Sequence, residues 1–171
     1  VRRQRQMCIR DRLKVSFMNE FLKEFKDRGY FYQCTNENAL SKKLSEESIK
    51  GYIGFDCTAQ SLHVGSLLQI MCLRLMQKHG HKPIVLLGGG TTRIGDPSGK
   101  DKTRKILEEN EIEKNIKSIE SILKKFLETK DEKVAPIFVN NFTWLKNLNY
   151  ISFLRDIAVS YTHLTLPTNL C

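Results

Sequence analysis

The reactive side chains of this 171-residue chain gather in one stretch, residues 51–66, Gly-Tyr-Ile-Gly-Phe-Asp-Cys-Thr-Ala-Gln-Ser-Leu-His-Val-Gly-Ser. It offers a carboxylate (Asp56), hydroxyls (Thr58, Ser66) and an imidazole (His63), with glycines at 54 and 65. Tyr52, Ile53 and Phe55 suit a strand core, while Gly54 leaves one point bare for a ligand or another backbone. From Leu67 the period changes: Leu67, Leu68, Met71, Cys72, Leu75 and Met76 recur at helical spacing until Gly80. His63 and Gly65 therefore stand at the mouth of a helix, where unpaired amides and the positive dipole end favour anions. Taken alone, His63 is more often a helix-start histidine with an ordinary hydrogen bond, and Asp56 a turn or cap residue.

A second candidate is the run Gly88-Gly89-Gly90-Thr91-Thr92-Arg93-Ile94-Gly95-Asp96-Pro97-Ser98-Gly99-Lys100. It reads as a long glycine-rich loop leaving the end of a strand, where open α/β sheets bind ligands. It is not a Walker P-loop, because Gly99-Lys100 is followed by Asp101 where that motif needs Ser or Thr. A plain solvated loop is the alternative, and Lys100 and Arg104 could be two solvated cations near a helix start.

These segments need a frame. Ile84 to Leu87 form a short continuous apolar run, so residues 82–87 read as a second strand and complete a βαβ unit. Pro136 opens a third strand, Ile137 to Val139, and Asn140 to Trp144 leave its end. Two helices precede the first strand, one with Phe17, Met18, Phe21, Leu22 and Phe25 on one face, the other with Ala39, Leu40 and Leu44 inward. A long helix or broken pair is expected from Thr103 to about Thr129, with a stripe of Ile112, Ile116, Ile119, Leu123 and Phe126; such a stripe is core-facing and carries no chemistry. Residues 150–158 begin another helix, and neither a repeat nor a low-complexity segment is found.

The length allows one ordinary core. The formal charge of +9 is swollen by the first twelve residues, which carry five arginines against one aspartate. A moderately basic body is compatible with nucleic acid or triphosphate, and equally with a solvated Lys/Glu surface. The five cysteines, Cys8, Cys34, Cys57, Cys72 and Cys171, include no metal-clasping pair, which points to reduced thiols, a cytoplasmic location and no metal site. No apolar run approaches a membrane span and no signal-peptide core follows the basic start.

His63-Val64-Gly65-Ser66 resembles the His-Ile-Gly-His signature of the class I aminoacyl-tRNA synthetases. With Tyr52 to Asp56, Thr58-Ala59, Ser61-Leu62 and the Gly95 to Lys100 run, residues 18–158 look like the amino-terminal part of a bacterial tyrosyl-tRNA synthetase. Residues 1–17 and 159–171 resemble translated sequencing-adapter artefacts and are expected to be non-native tails. The resemblance implies a truncated Rossmann-like parallel sheet, the amino-terminal half of a catalytic domain that activates tyrosine with ATP and Mg2+ and charges tRNA(Tyr). It implies a homodimer when full length and no membrane.

In that reading Thr58 and His63 meet phosphate, Lys100 and Arg104 grip pyrophosphate, and Gly54, Asp56, Gly65 and Ser66 complete the ATP site. Asp96 holds the amino group of tyrosine, the Tyr52 hydroxyl meets its phenol, and Thr91 and Asn141 wall the pocket. Ser66 replaces the second signature histidine, and Ile53 and Gln69 stand where some members place Cys and Thr against the ribose, which leaves the ribose contacts open and the phosphate contacts intact. The fragment is expected to be inactive alone. The alternatives are a tryptophan-specific relative, which Tyr52 and the Gly95 to Lys100 run disfavour, and a non-catalytic RNA-binding or dimerisation module of the same fold.

Overall fold

The computed structural model describes residues 19–94 and 107–158. Two short helices come first, α1 (Glu20–Asp27) and α2 (Glu37–Glu46), each started by an asparagine. Asn19 Oδ1 accepts from Phe21 N at 2.9 Å and Asn36 Oδ1 from Ala39 N at 3.0 Å, satisfying amides that a helix start otherwise leaves unpaired. There follow β1 (Lys50–Phe55), α3 (Ser66–Lys78), β2 (Lys82–Leu87), α4 (Gly89–Ile94), α5 (Glu109–Leu127), β3 (Ile137–Asn140) and α6 (Phe142–Leu145). The last is α7 (Tyr150–Phe153), which runs into a π-helical turn, Leu154–Ala158.

The strands form one parallel sheet in the order β1-β2-β3, with Ile53 opposite Val85 and Val85 opposite Phe138. One face of the sheet carries Ile53, Phe55, Val85, Leu87 and Phe138. These pack with Ile70 and Leu73 of α3 and with Ile112, Ile116, Ile119, Leu123 and Leu127 of α5 into the core. The other face, Tyr52, Gly54, Ile84, Leu86, Ile137 and Val139, is half-buried or exposed. The three-strand, helix-crossed parallel sheet is the α/β, Rossmann-like arrangement expected of the sequence.

Four local expectations are corrected. Leu67 and Leu68 are exposed, and α3 instead buries Ile70, Leu73, Leu75 and Gln77; its first turn lies at the carboxyl end of the sheet, beyond the strands that bury the rest. Leu127 takes the inward position and Phe126 the outward one. The end of α5 is tied there by the buried Gln77, whose Nε2 donates to Leu127 O and Val134 O at 3.0 Å each. Ala39 is exposed while Leu44 is buried, so α2 docks along a narrower face.

The fourth correction concerns the glycine-rich run, whose first half is helix α4. A Cβ on Gly88 would sit 2.9 Å from Thr91 Oγ1 and 3.2 Å from Phe55 O, and one on Gly89 only 2.5 Å from Asn140 Oδ1. A Cβ on Gly90 would lie 3.1 Å from Asn141 Oδ1 and 3.2 Å from the Phe142 Cα. These glycines are buried and let α4 press against the ends of β1 and β3; close packing, not ligand access, explains them. Gly95 to Lys100, Arg104, Phe17, Met18 and both tails lie outside the described residues.

Candidate active site

The ends of parallel strands are where an open α/β sheet can build a site, since loops diverge there and leave a crevice. At the end of β1 the chain turns through Asp56, Cys57 and Thr58 toward the mouth of α3. A cavity of about 380 Å3 opens here, lined by Gly54, Asp56, Thr58, His63, Ser66 and Gln69 among others. Five of the six residues expected at ATP thus share one cavity, and Gly65 is the next neighbour of Ser66. Gly54 is bare as anticipated: a Cβ there would come no nearer than 4.0 Å to the Leu86 side chain. Two larger grooves lie elsewhere. One of about 770 Å3 runs beside α5 and Phe138 of β3, another of about 440 Å3 beside Arg28, Tyr30 and α3. Neither contains the convergent residues of the 51–66 stretch, so size does not mark the site.

The mouth of α3 differs from expectation in one respect. The Gly65 amide donates to His63 Nδ1 at 3.1 Å, Ser66 N to His63 O at 2.8 Å and Leu67 N to Val64 O at 3.0 Å. The tight turn before the helix has engaged these amides, so an anion there must be met chiefly by side chains and the helix dipole. With Nδ1 accepting, a neutral His63 carries its proton on Nε2 and is a donor from that atom. Asp56 gives the lining its one formal charge.

The remaining expected residues are placed as follows. Thr91 and Asn141 come together behind the end of β2: Asn141 Nδ2 donates to Thr91 Oγ1 at 3.3 Å, and its Oδ1 accepts from Gly90 N at 2.6 Å. Asn141 is buried and ties α4 to the end of β3. Tyr52 is 71% exposed on the uncovered face of β1 and does not line the cavity. Asp96, Lys100 and Arg104 are outside the described residues. Among the described residues no three His, Cys, Asp or Glu side chains are grouped to hold a metal ion, and no helix is long and apolar enough to cross a membrane.

Two buried side chains that the sequence reading gave no role stand directly beneath this turn, Asn115 of α5 and Thr92 of α4. Thr92 Oγ1 accepts from Cys57 N at 3.2 Å, and Asn115 Nδ2 donates to Cys57 O at 3.1 Å. The signal that could have found Asn115 is a polar residue at a stripe position, beside Ile112, Ile116 and Ile119. The Cys57 thiol is fully buried, and burial pushes it up to about 11, so it is an inert packing group.

A parallel sheet with its cavity at the carboxyl end of β1 and a histidine at the following helix mouth defines a Rossmann-like α/β domain with a candidate site at its strand ends. The chain matches the family described as tRNA synthetases class I (W and Y) over residues 43–167, and it belongs to that family. It is 77% identical over 145 residues to the tyrosine--tRNA ligase of Pelagibacter ubique (strain HTCC1062), covering 85% of this chain and 36% of that protein. With the tyrosine--tRNA ligase of Wolbachia pipientis subsp. Culex pipiens (strain wPip) it shares 55% over 145 residues, 84% of this chain and 34% of that one. The chain therefore spans about a third of the length of these relatives. In three dimensions it is similar to a C-terminally truncated mitochondrial tyrosyl-tRNA synthetase of Aspergillus nidulans. The TM-score is 0.69 at 25% identity, covering 87% of this chain and 45% of that one.

Proposed function

We propose that this chain is part of an enzyme that activates tyrosine with ATP and passes the tyrosyl group to tRNA(Tyr). The observation that carries this reading is the single cavity gathering Gly54, Asp56, Thr58, His63 and Ser66 at the end of β1. The names of the relatives favour tyrosine over tryptophan within the family. In activation a carboxylate oxygen of tyrosine attacks the α-phosphorus of ATP, the bond to the β-phosphate oxygen breaks, and pyrophosphate leaves. No protein nucleophile is required; the protein must align two anions and stabilise charge on the leaving group.

His63 donates from Nε2 and Thr58 from its hydroxyl to phosphate oxygens, while Gly54 and Gly65 let the nucleotide lie against backbone and Asp56 and Ser66 line it. ATP enters as its Mg2+ complex. The lining of the described cavity carries no cation of its own, which suits a role for Lys100 and Arg104 at the pyrophosphate. Asp96 and Tyr52 take the amino and phenol groups of tyrosine, and Thr91 with Asn141 forms the wall. The complete protein works as a cytoplasmic homodimer. Residues 18–158 are the native, amino-terminal part of the catalytic domain, and residues 1–17 and 159–171 are non-native tails.

The test uses a chimera in which residues 18–158 replace the corresponding part of the Pelagibacter ubique relative. His63→Ala and Lys100→Ala should each slow single-turnover formation of tyrosyl-adenylate on the order of 10- to 1000-fold with the Kd for tyrosine unchanged, because they act on charge that develops as pyrophosphate departs. A loss confined to tyrosine affinity would move both residues out of the phosphate site.

A further inference from the structure

The turn that carries Asp56 and Thr58 is held from below through the two peptide groups that flank one residue. Cys57 lies between the two cavity residues and is itself completely buried. Both polar groups of its backbone are engaged by side chains from other elements: N–H by Thr92 of α4 at 3.2 Å, and C=O by Asn115 of α5 at 3.1 Å. Thr92 is 8% exposed and Asn115 1%, Asn115 standing among isoleucines of the core. An amide at such a position is costly unless its hydrogen bonds are made, and a buried peptide left unpaired is costly in turn. A second tie, Gly88 N to Phe55 O at 2.9 Å, fixes the residue before Asp56.

We propose that Asn115 and Thr92 are positioning residues for tyrosine activation: by holding the two peptide groups that flank Cys57 they set Asp56 and Thr58 against the nucleotide. This rests on the ATP reading of the cavity. The two side chains need not touch substrate. They act because Asp56, Cys57 and Thr58 are consecutive, so rotation of either peptide unit flanking Cys57 moves the side chain attached beyond it, and a shift of about 1 Å in an aligned site is enough to slow a reaction on the order of a hundredfold. Thr92 also couples the cavity to α4, and Asn115 couples it to the long helix α5.

The test is tyrosine-dependent exchange of pyrophosphate into ATP by the chimera, with thermal melting as the check on folding. Asn115→Leu keeps the branched outline and removes the donor; Thr92→Val keeps the shape and removes the hydroxyl, which Thr92→Ser restores. Asn115→Leu and Thr92→Val should each lower kcat about 10- to 100-fold with KM for tyrosine within about twofold of the parent, and Thr92→Ser should recover most of the rate. In a Thr58→Ala background the loss from Asn115→Leu should shrink, because the two act on one contact. Should Asn115→Leu fail to fold, the Thr92→Val and Thr92→Ser pair decides by itself. Parent-like kcat in folded Asn115→Leu and Thr92→Val, with Thr58→Ala impaired, would overturn the positioning role and leave the ATP site standing. Full activity of Thr58→Ala would remove the ATP reading, and the positioning role with it.

Discussion

Because the Gly65 amide occupies Nδ1 of His63, the ring works as a donor from Nε2, and its tautomer is set by its own turn. Thr58 and Ser66 are short hydroxyl donors in the same cavity, so the proposed ATP site offers side chains rather than a ring of free amides. Tyr52 stands apart, on the open face of β1. In the chimera its hydroxyl should pair with the phenol of tyrosine and be left unpaired by phenylalanine, which costs about 1–3 kcal/mol for a buried polar group. Tyr52→Phe should therefore narrow the ratio of kcat/KM for tyrosine over phenylalanine, and an unchanged ratio would remove Tyr52 from the pocket. The residues that gather at the cavity were legible in the sequence because they are close along the chain, on one strand end and one helix mouth. Asn115 and Thr92 were not, because they reach the turn from distant positions and only the folded packing of α4 and α5 brings them under Cys57.

Helix α1 is latched to the end of α3 by charge. Glu24 accepts from Lys78 at 2.8 Å, meets His79 at 2.7 Å and pairs with Arg28 at 2.7 Å. Hydrogen bonds from Lys78, His79 and Arg28, in that order, pull the carboxyl down to about 2. Close by, His81 is buried edge-on to Phe21, with Nδ1 accepting from Ile49 N at 3.4 Å and Nε2 unpartnered. Burial, and then the neighbouring His79, lower its pKa below the usual 6.5. Its neutral form is the one the fold favours, so its contribution is complete above about pH 6.5 and is lost as pH falls through the lowered folded value. The Tm of the 171-residue chain should drop as pH goes from 7 to 5 by more than that of His81→Phe, which keeps the ring against Phe21; parallel curves would contradict this. Glu24 adds a second loss at lower pH, from about 4.5 downward toward 2.

The glycines of α4 supply a steric test. Gly89→Ala should destabilise by about 1–3 kcal/mol, read in a denaturant melt, because its Cβ would press on Asn140 and Ile116. The strands and long helices could be read from period and composition. Helix α4 could not, since glycine and threonine are weak helix formers and only contact with β1, β3 and α5 makes this segment helical. The outward turn of Leu67, Leu68 and Phe126 was hidden for a related reason: periodicity names a stripe, while the position of neighbouring elements decides where along the helix the stripe is covered.

As a whole the described residues supply three parallel strands, one covered face and, in the proposed reading, the phosphate side of a site. Exposed Leu148, Tyr150, Ile151, Phe153 and Leu154 near the end of the described residues, with the half-bare sheet face, make an apolar surface that favours association in the isolated chain. Substrates held from one side are poorly aligned, and alignment supplies much of the rate in a reaction of this kind. The family was legible from the 51–66 stretch with the Gly95 to Lys100 run, and the sheet from the apolar runs at 82–87 and 137–139; how the rest of the pocket closes was not, because the chain spans only about a third of the length of its relatives. The decisive measurement is tyrosine-dependent exchange of pyrophosphate into ATP by the chimera, beside the 171-residue chain alone and with tryptophan as the competing amino acid. The chimera should exchange at a rate near that of the Pelagibacter ubique relative with tyrosine only, and the isolated chain should not exchange. A folded chimera without tyrosine-dependent exchange, or one driven by tryptophan, would show that residues 18–158 are not a working part of a tyrosine-activating enzyme.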